Sequence, residues 1–275
     1  MRIRKVAVLI DGGFFLKRLK KWPGIDRKNP AEVANAVRWM SKRHVQRLIY
    51  ENPKTKHSKW LDHVYRLFFY DARPYDGVPH HPLKNRQIDY GNTPEAQFRL
   101  ELFDEIRRQR KFALRLGHLK KDGDWIPYNR HMKGLLRIKA QSDYLVEVLK
   151  NPEKADPDKT ARALEMLGIW QMLGEDDIQL PLRQKGVDMR IGLDIATMTL
   201  KRQVDTIVLV TGDSDFIPAA KIARREGVEF ILDPFILDPM WQSIEDELQE
   251  HVDGIVSGFD RPGVVAVLAV DEVVQ

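Results

Sequence analysis

Apolar residues in this chain come in two textures, short unbroken runs and stripes that recur every three to four positions. Ile207 to Val210 is an unbroken aliphatic run within V-D-T-I-V-L-V-T-G-D-S-D-F-I (204–217). Such a run suits a strand buried on both faces. It ends in Thr211-Gly212, then Asp213 and Asp215, after which Phe216, Ile217 and residues 219–223 begin a helical pattern with Pro218 inside the first turn. Residues 5–10 (K-V-A-V-L-I) repeat the construction, ending in Asp11-Gly12-Gly13 before Phe14, Phe15, Leu16 and Leu19.

Between these two segments the stripes predict helices. Val33, Val37, Met40 and Val45 share one side of residues 31–50, and Phe98, Leu102 and Ile106 share one side of residues 94–110. Residues 156–173 open with a capping signal and Pro157. Strands are expected at 64–70, at Phe112, Leu114 and Leu116 by alternation, and at 228–232 after the helix stop Gly227. A last amphipathic helix is expected at 241–252, and an apolar segment follows at 263–274. The Pro- and Gly-containing stretch 76–93 reads as a loop with His80 and His81 exposed, and residues 120–181 do not continue the sheet.

Strand-helix alternation of this kind implies an α/β fold built on a parallel sheet, whose crevice lies beyond the carboxyl ends of its strands. Asp11 and Asp213 would both project there, Asp11 from a first strand that is usually central in such sheets. Two carboxylates one residue apart, Asp213 and Asp215, cannot both be core residues, because burying unpaired charge costs too much. The bland alternative for Asp215 is a helix cap. A second acidic segment sits at 185–195, where a helix carries Ile191, Ile195 and Met198. Asp188 falls at or just before its start. Asp194, six residues on, does not share its face on an ideal helix and has an exposed position as its alternative.

These motifs, V-L-I-D-G-G-F (8–14), K-G-V-D-M-R-I-G-L-D-I (185–195) and T-G-D-S-D-F (211–216) followed by G-V-E-F-I-L (227–232), resemble the NYN domain family of PIN-like nucleases, and within it the LabA-type (DUF88) bacterial branch. The resemblance covers residues 5–20 and 185–256 and is looser between them. It implies a PIN-like, Rossmann-like open parallel sheet flanked by helices, with a mostly helical insertion at about 120–181, an NYN domain over 1–256 and a C-terminal extension at 257–275. It also implies an acidic residue before the 185–195 helix and often another on it, which maps to Asp188 and Asp194. Tyr70 and Asp71 would line the crevice wall, Asp71 without a catalytic role.

Composition narrows the chemistry. The absence of cysteine excludes disulfides, zinc-thiolate sites and thiol nucleophiles. A net charge of +5 and a pI near 9.2 favour an anionic partner. M-R-I-R-K has the charge of a signal-peptide start, but the apolar run after it stops at Asp11, and no stretch reaches transmembrane length, so a cytoplasmic protein is expected.

Asp11, Asp188, Asp213 and Asp215, with Asp194 as a further candidate, would crowd like charges that repel unless a cation sits among them. Hard oxygen ligands favour Mg²⁺ or Mn²⁺. A pair of such ions would activate water for phosphodiester cleavage. On this reading Asp11 and Asp213 are metal ligands, Asp188 binds or orients a second ion, and Asp215 stands behind them. Thr211 and Ser214 are candidates for hydrogen bonds to a carboxylate or the scissile phosphate. Lys185, Arg224, Arg225, Arg130 and Lys133 are candidates for contacts to the substrate. The basic stretch 17–28, around Trp22, is either a solvated surface or a backbone-binding patch.

The resemblance points to single-stranded RNA as substrate, with DNA not excluded. The insertion would be a substrate clamp or a dimerisation element, and the C-terminal segment a second route to a homodimer. A haloacid-dehalogenase-like phosphatase would need a second Asp two residues after Asp11, where this chain has Gly13. A nucleic-acid-binding or regulatory protein with this fold and no catalysis is the other alternative.

Overall fold

A computed structural model describes residues 4–20, 22, 24–50, 59–139, 141–235 and 250–258. In chain order, β1 (Val6–Asp11) leads to α1 (Gly12–Leu19), α2 (Pro30–Tyr50), the single turn α3 (Trp60–His63) and β2 (Val64–Arg73). The two-residue strands β3 (His80–His81) and β4 (Arg86–Gln87) precede α4 (Pro94–Arg108) and β5 (Phe112–Lys121). Then come β6 (Ile126–Pro127), α5 (Asn129–Lys139), α6 (Ser142–Lys150), α7 (Pro157–Gln171) and β7 (Ile178–Gln179). The chain closes with β8 (Leu182–Lys185), α8 (Val187–Leu200), β9 (Thr206–Val210), α9 (Ile217–Arg225), β10 (Glu229–Asp233) and β11 (Gly254–Ile255).

Seven strands form one sheet in the order β11-β10-β9-β1-β2-β5-β8. β1 pairs in parallel with β2 on one side and β9 on the other, and the β2–β5, β9–β10 and β10–β11 pairs are parallel too. The chain therefore builds outward from β1 through β2 and β5, then returns to start again at β9 on its other side. The switch in direction falls between β1 and β9, where open α/β sheets bind their ligands.

Alternation along β1 divides the core. Val6, Val8 and Ile10 share one apolar cluster with Val33, Val37 and Met40 of α2, while Ala7 and Leu9 share another with Ile191 and Ile195 of α8 and Ala220 and Ala223 of α9. Both faces of β1 are covered, which is why it reads as an unbroken apolar run. Trp22 is buried in the first cluster, edge-on to Phe235 at 6.3 Å. It anchors the basic stretch to the core rather than offering a ring to a ligand.

Gly12 marks the tightest approach. A Cβ built there would lie 2.6 Å from the Tyr70 carbonyl oxygen and 2.7 Å from the Phe69 ring. Backbone on one side and a buried ring on the other leave little room to yield. Gly12→Ala should therefore lower stability by roughly 1–3 kcal/mol as an overpacking change, measurable as a lower urea midpoint with the slope unchanged.

The chain divides into two compact units, one of residues 1–74, 91–119 and 184–275, the other of residues 75–90 and 120–183. Residues 75–90, read as a plain loop, belong to the same unit as residues 120–183. In the second unit, α5, α6 and α7 are accompanied by two small antiparallel pairs, β3–β4 and β6–β7. His80 is exposed as expected, but His81 is buried at 2%. Its Nδ1 accepts the Leu83 and Lys84 amides, and its ring lies 4.4 Å from that of Trp125. The imidazole closes the β3–β4 turn, a role that its neighbour, pointing the other way, cannot share.

Two further differences concern strand extent. β2 runs on to Arg73, so Asp71 lies inside the strand. β8 is an unforeseen edge strand, because L-R-Q-K carries no apolar run. The expected 241–252 helix falls outside the described residues up to 249, and the 263–274 segment lies wholly outside them.

Candidate active site

Asp11 is the last residue of β1 and the N-cap of α1, its Oδ1 accepting the amide of Phe14 at 3.1 Å. Register places it beside Tyr70 of β2, one step beyond the Ile10–Val210 pair with β9. Burial raises its pKa to about 6 from an ordinary 3.8. The amides of Phe14 and Gly13 pull the other way, and the charges of Asp188 and Asp71 add to the rise.

From β9 the chain passes through Thr211 and Gly212 to Asp213, which caps the short turn Ser214–Phe216 by accepting the Asp215 amide at 2.9 Å. Gly212 allows the close pass, since a Cβ there would meet the Phe14 ring at 2.7 Å. Thr211 is fully buried, and its hydroxyl accepts the amide of Asp213 at 3.3 Å. It shapes the loop from below. Ser214 is half-buried and Asp215 exposed.

Gly186, at φ 76°, turns the chain from β8 into α8 in the left-handed region. This puts Asp188 in the first helical turn, where a carboxylate is also favoured by the helix dipole. Partial burial raises the pKa of Asp188, and the charges of Asp213 and Asp215 raise it further. The structure thus gathers Asp11, Asp188, Asp213 and Asp215 at the switch point, near enough that their charges act on one another in sequence.

Asp194 stands apart from that group. Its Oδ2 accepts the Tyr70 hydroxyl at 2.8 Å and Nε of Arg115 at 3.1 Å. Burial, reinforced by the Asp194 charge, pushes the Tyr70 hydroxyl far above the usual tyrosine value, so it stays a donor. Tyr70 and Arg115 are register partners on β2 and β5, and Tyr70 is in turn beside Asp11. Arg115 was not among the residues the sequence suggested. A lone Arg in F-A-L-R-L gains meaning only once the β2–β5 register is known.

Asp71 projects to the opposite face, buried at 2% and ion-paired with Arg99 of α4. Asp233, at the end of β10, lies 2.7 Å from Nε2 of buried His44 and accepts the amides of Phe235 and Gly258, each at 2.8 Å. Neither acid is available to a ligand.

Among the basic candidates, Lys185 ends β8 half-buried and Arg225 is exposed on α9. Arg224 donates from Nε to Asp253 at 2.8 Å. Arg130 and Lys133 belong to α5 of the second unit, where Arg130 pairs with Asp177 at 2.8 Å and Lys133 is exposed.

The donor set suits a hard divalent cation, being all carboxylate. Among the described residues no three His, Asp or Glu side chains close on a common point.

A mostly parallel sheet flanked by helices is consistent with a PIN-like fold. Residues 122–257, just under half of the chain, match the model of the NYN domain, a family of the PIN-like superfamily. That match suggests nuclease-type function. The match includes Asp188, Asp194, Asp213 and Asp215 and leaves Asp11 outside it. No curated protein matches the sequence. The crystal structure of a protein of unknown function from Vibrio parahaemolyticus aligns over 94% of this chain and 98% of its own, with 13% identity and a TM-score of 0.41. No described helix is long and apolar enough to cross a membrane.

Proposed function

We propose that this chain is a metal-dependent endoribonuclease that hydrolyses phosphodiester bonds of single-stranded RNA at Asp11, Asp188, Asp213 and Asp215. The observation that carries the reading is the position of four carboxylates around the switch point, Asp11 at the end of β1, Asp188 in the first turn of α8, and Asp213 and Asp215 in the loop after β9, with burial first and neighbouring carboxylates second raising Asp11 to about 6 and Asp188 upward. Like charges held together at a cost to the fold suit a site whose working form includes a cation.

Asp11 and Asp213 would hold a Mg²⁺ or Mn²⁺ ion directly, with Asp188 toward a second ion or its water. Bound there, the metal supplies an activated water and charge neutralisation at the phosphate. Asp215 stands behind Asp213, its amide fixing the Asp213 carboxylate. Asp194 acts as a positioning residue through Tyr70, the register neighbour of Asp11. Lys185, Ser214 and Arg225 remain the candidates in this unit for contact with the RNA backbone, while Arg224 is drawn to Asp253.

The direct test incubates purified chain with end-labelled single-stranded RNA, and with DNA in parallel, in Mn²⁺, Mg²⁺ or EDTA. Shortened RNA in either ion and intact RNA in EDTA is the expected result. RNA bound but intact in both ions would make the chain a nucleic-acid-binding protein and sink the catalytic reading.

A further inference from the structure

We propose that the second unit carries a binding site for an unpaired nucleobase bearing an amino group, separate from the carboxylate cluster. Only the choice of RNA as the source of that base rests on the function proposed above. A depression of about 410 Å³, within the ~300–1,000 Å³ range of small-molecule sites, opens among His81, Lys84, Tyr90, Trp125, Tyr128 and Asp176.

Its aromatic walls are held in place. Nε1 of Trp125 donates to the His80 carbonyl at 2.8 Å, and the Trp125 ring lies 4.4 Å from that of His81. Because Nδ1 of His81 accepts two amides, its proton sits on Nε2, directed at the Glu175 carbonyl at 3.2 Å. Tyr128 is 38% exposed, with the Arg130 guanidinium 5.3 Å from its ring centre. Tyr90 is braced edge-on by Tyr75 at 5.6 Å. Rings packed as a core would be buried, yet Trp125 is half-buried and Tyr128 faces solvent. Rigid, partly open aromatic faces are what a base stacks on.

Charge decides which part of a nucleotide is read. The ammonium of Lys84 is spanned by Glu175 at 3.4 Å and Asp176 at 3.9 Å, and Arg130 is taken by Asp177. Carboxylates around the rim disfavour a phosphate in the depression. The Asp176 carboxylate is fully exposed and accepts only, so it suits the amino group of adenine, cytosine or guanine and not the carbonyls of uracil.

The test measures fluorescence anisotropy of labelled oligoadenylate, oligocytidylate and oligouridylate on the full chain in EDTA, with free AMP as competitor. The parent should bind oligoadenylate and oligocytidylate more tightly than oligouridylate. Trp125→Ala should weaken the first two roughly 5- to 100-fold, with the salt slope unchanged because no phosphate contact is lost. Trp125→Phe, which keeps a ring, should restore most of the binding, and Asp176→Asn should narrow the preference over oligouridylate. Parent-like oligoadenylate binding by Trp125→Ala, or an equal loss in Trp125→Phe, would overturn the site while leaving the RNA reading intact. AMP bound through Trp125 without oligonucleotide binding would support the base site and count against RNA as its source. A parent that binds neither AMP nor any oligonucleotide refutes the site.

Discussion

Asp11→Asn combined with Asp213→Asn should abolish the proposed RNA cleavage, lowering its rate on the order of 10³-fold or more. Asp11 ends β1 and Asp213 follows the end of β9 by three residues, and the Ile10–Val210 pair sets the two strand ends side by side. Each amide removes a formal charge but keeps an oxygen that can still cap α1 or the turn at Ser214, so the local backbone is preserved. A held divalent ion contributes several kcal/mol to the transition state, and about 1.4 kcal/mol is a factor of ten. Single-turnover cleavage in saturating Mn²⁺ measures the loss, and calorimetry with Mn²⁺ reads the metal separately. A double variant that cleaves at the parent's rate would remove the cluster from the reaction.

In metal-free buffer the single variant Asp11→Asn should melt above the parent at pH 7, and the gap should close as the pH falls to about 4. In the folded chain Asp11 releases its proton near pH 6, against an ordinary 3.8. Between those values folding takes up a proton, so the parent loses stability as pH rises from about 4 to about 6 and stays at the lower level above that. At about 1.4 kcal/mol per pH unit the difference amounts to about 3 kcal/mol, or several degrees of melting temperature in a chain of this size. Asparagine carries no charge to bury and is free of the penalty. Thermal melts followed by circular dichroism in EDTA at pH 4 and pH 7 decide it. An Asp11→Asn variant that melts below the parent at pH 7 would show the carboxylate to be a structural cap.

The carboxylates could be read from the sequence because central parallel strands advertise themselves. V-A-V-L-I and T-I-V-L-V have no polar position to spare, so the first acidic residue after each run marks the strand end. Edge strands give no such signal: L-R-Q-K of β8 is solvated on one side and reads as loop. Side-chain pairs set by register were equally hidden. Tyr70, Arg115 and Asp194 come from three elements, and His44 meets Asp233 across 189 residues. Nothing local to any of them predicts the partner. The membership of residues 75–90 in the second unit escaped for the same reason, since His81 and Trp125 meet only in three dimensions.

The central place of β1 has a consequence in time. Val6 pairs with Thr206, so at synthesis rates of about 5–20 residues per second one edge of β1 waits about 10–40 s for its neighbour. Through that interval an uncharged run, Val6 to Ile10, presents unpaired backbone groups beside apolar side chains, the combination most prone to wrong pairing. Asp11 likewise exists for most of the chain's synthesis without Asp188 or Asp213 beside it. The carboxylate cluster therefore cannot assemble until the chain has been made past Asp213, and whatever it does in the folded protein is withheld through that interval.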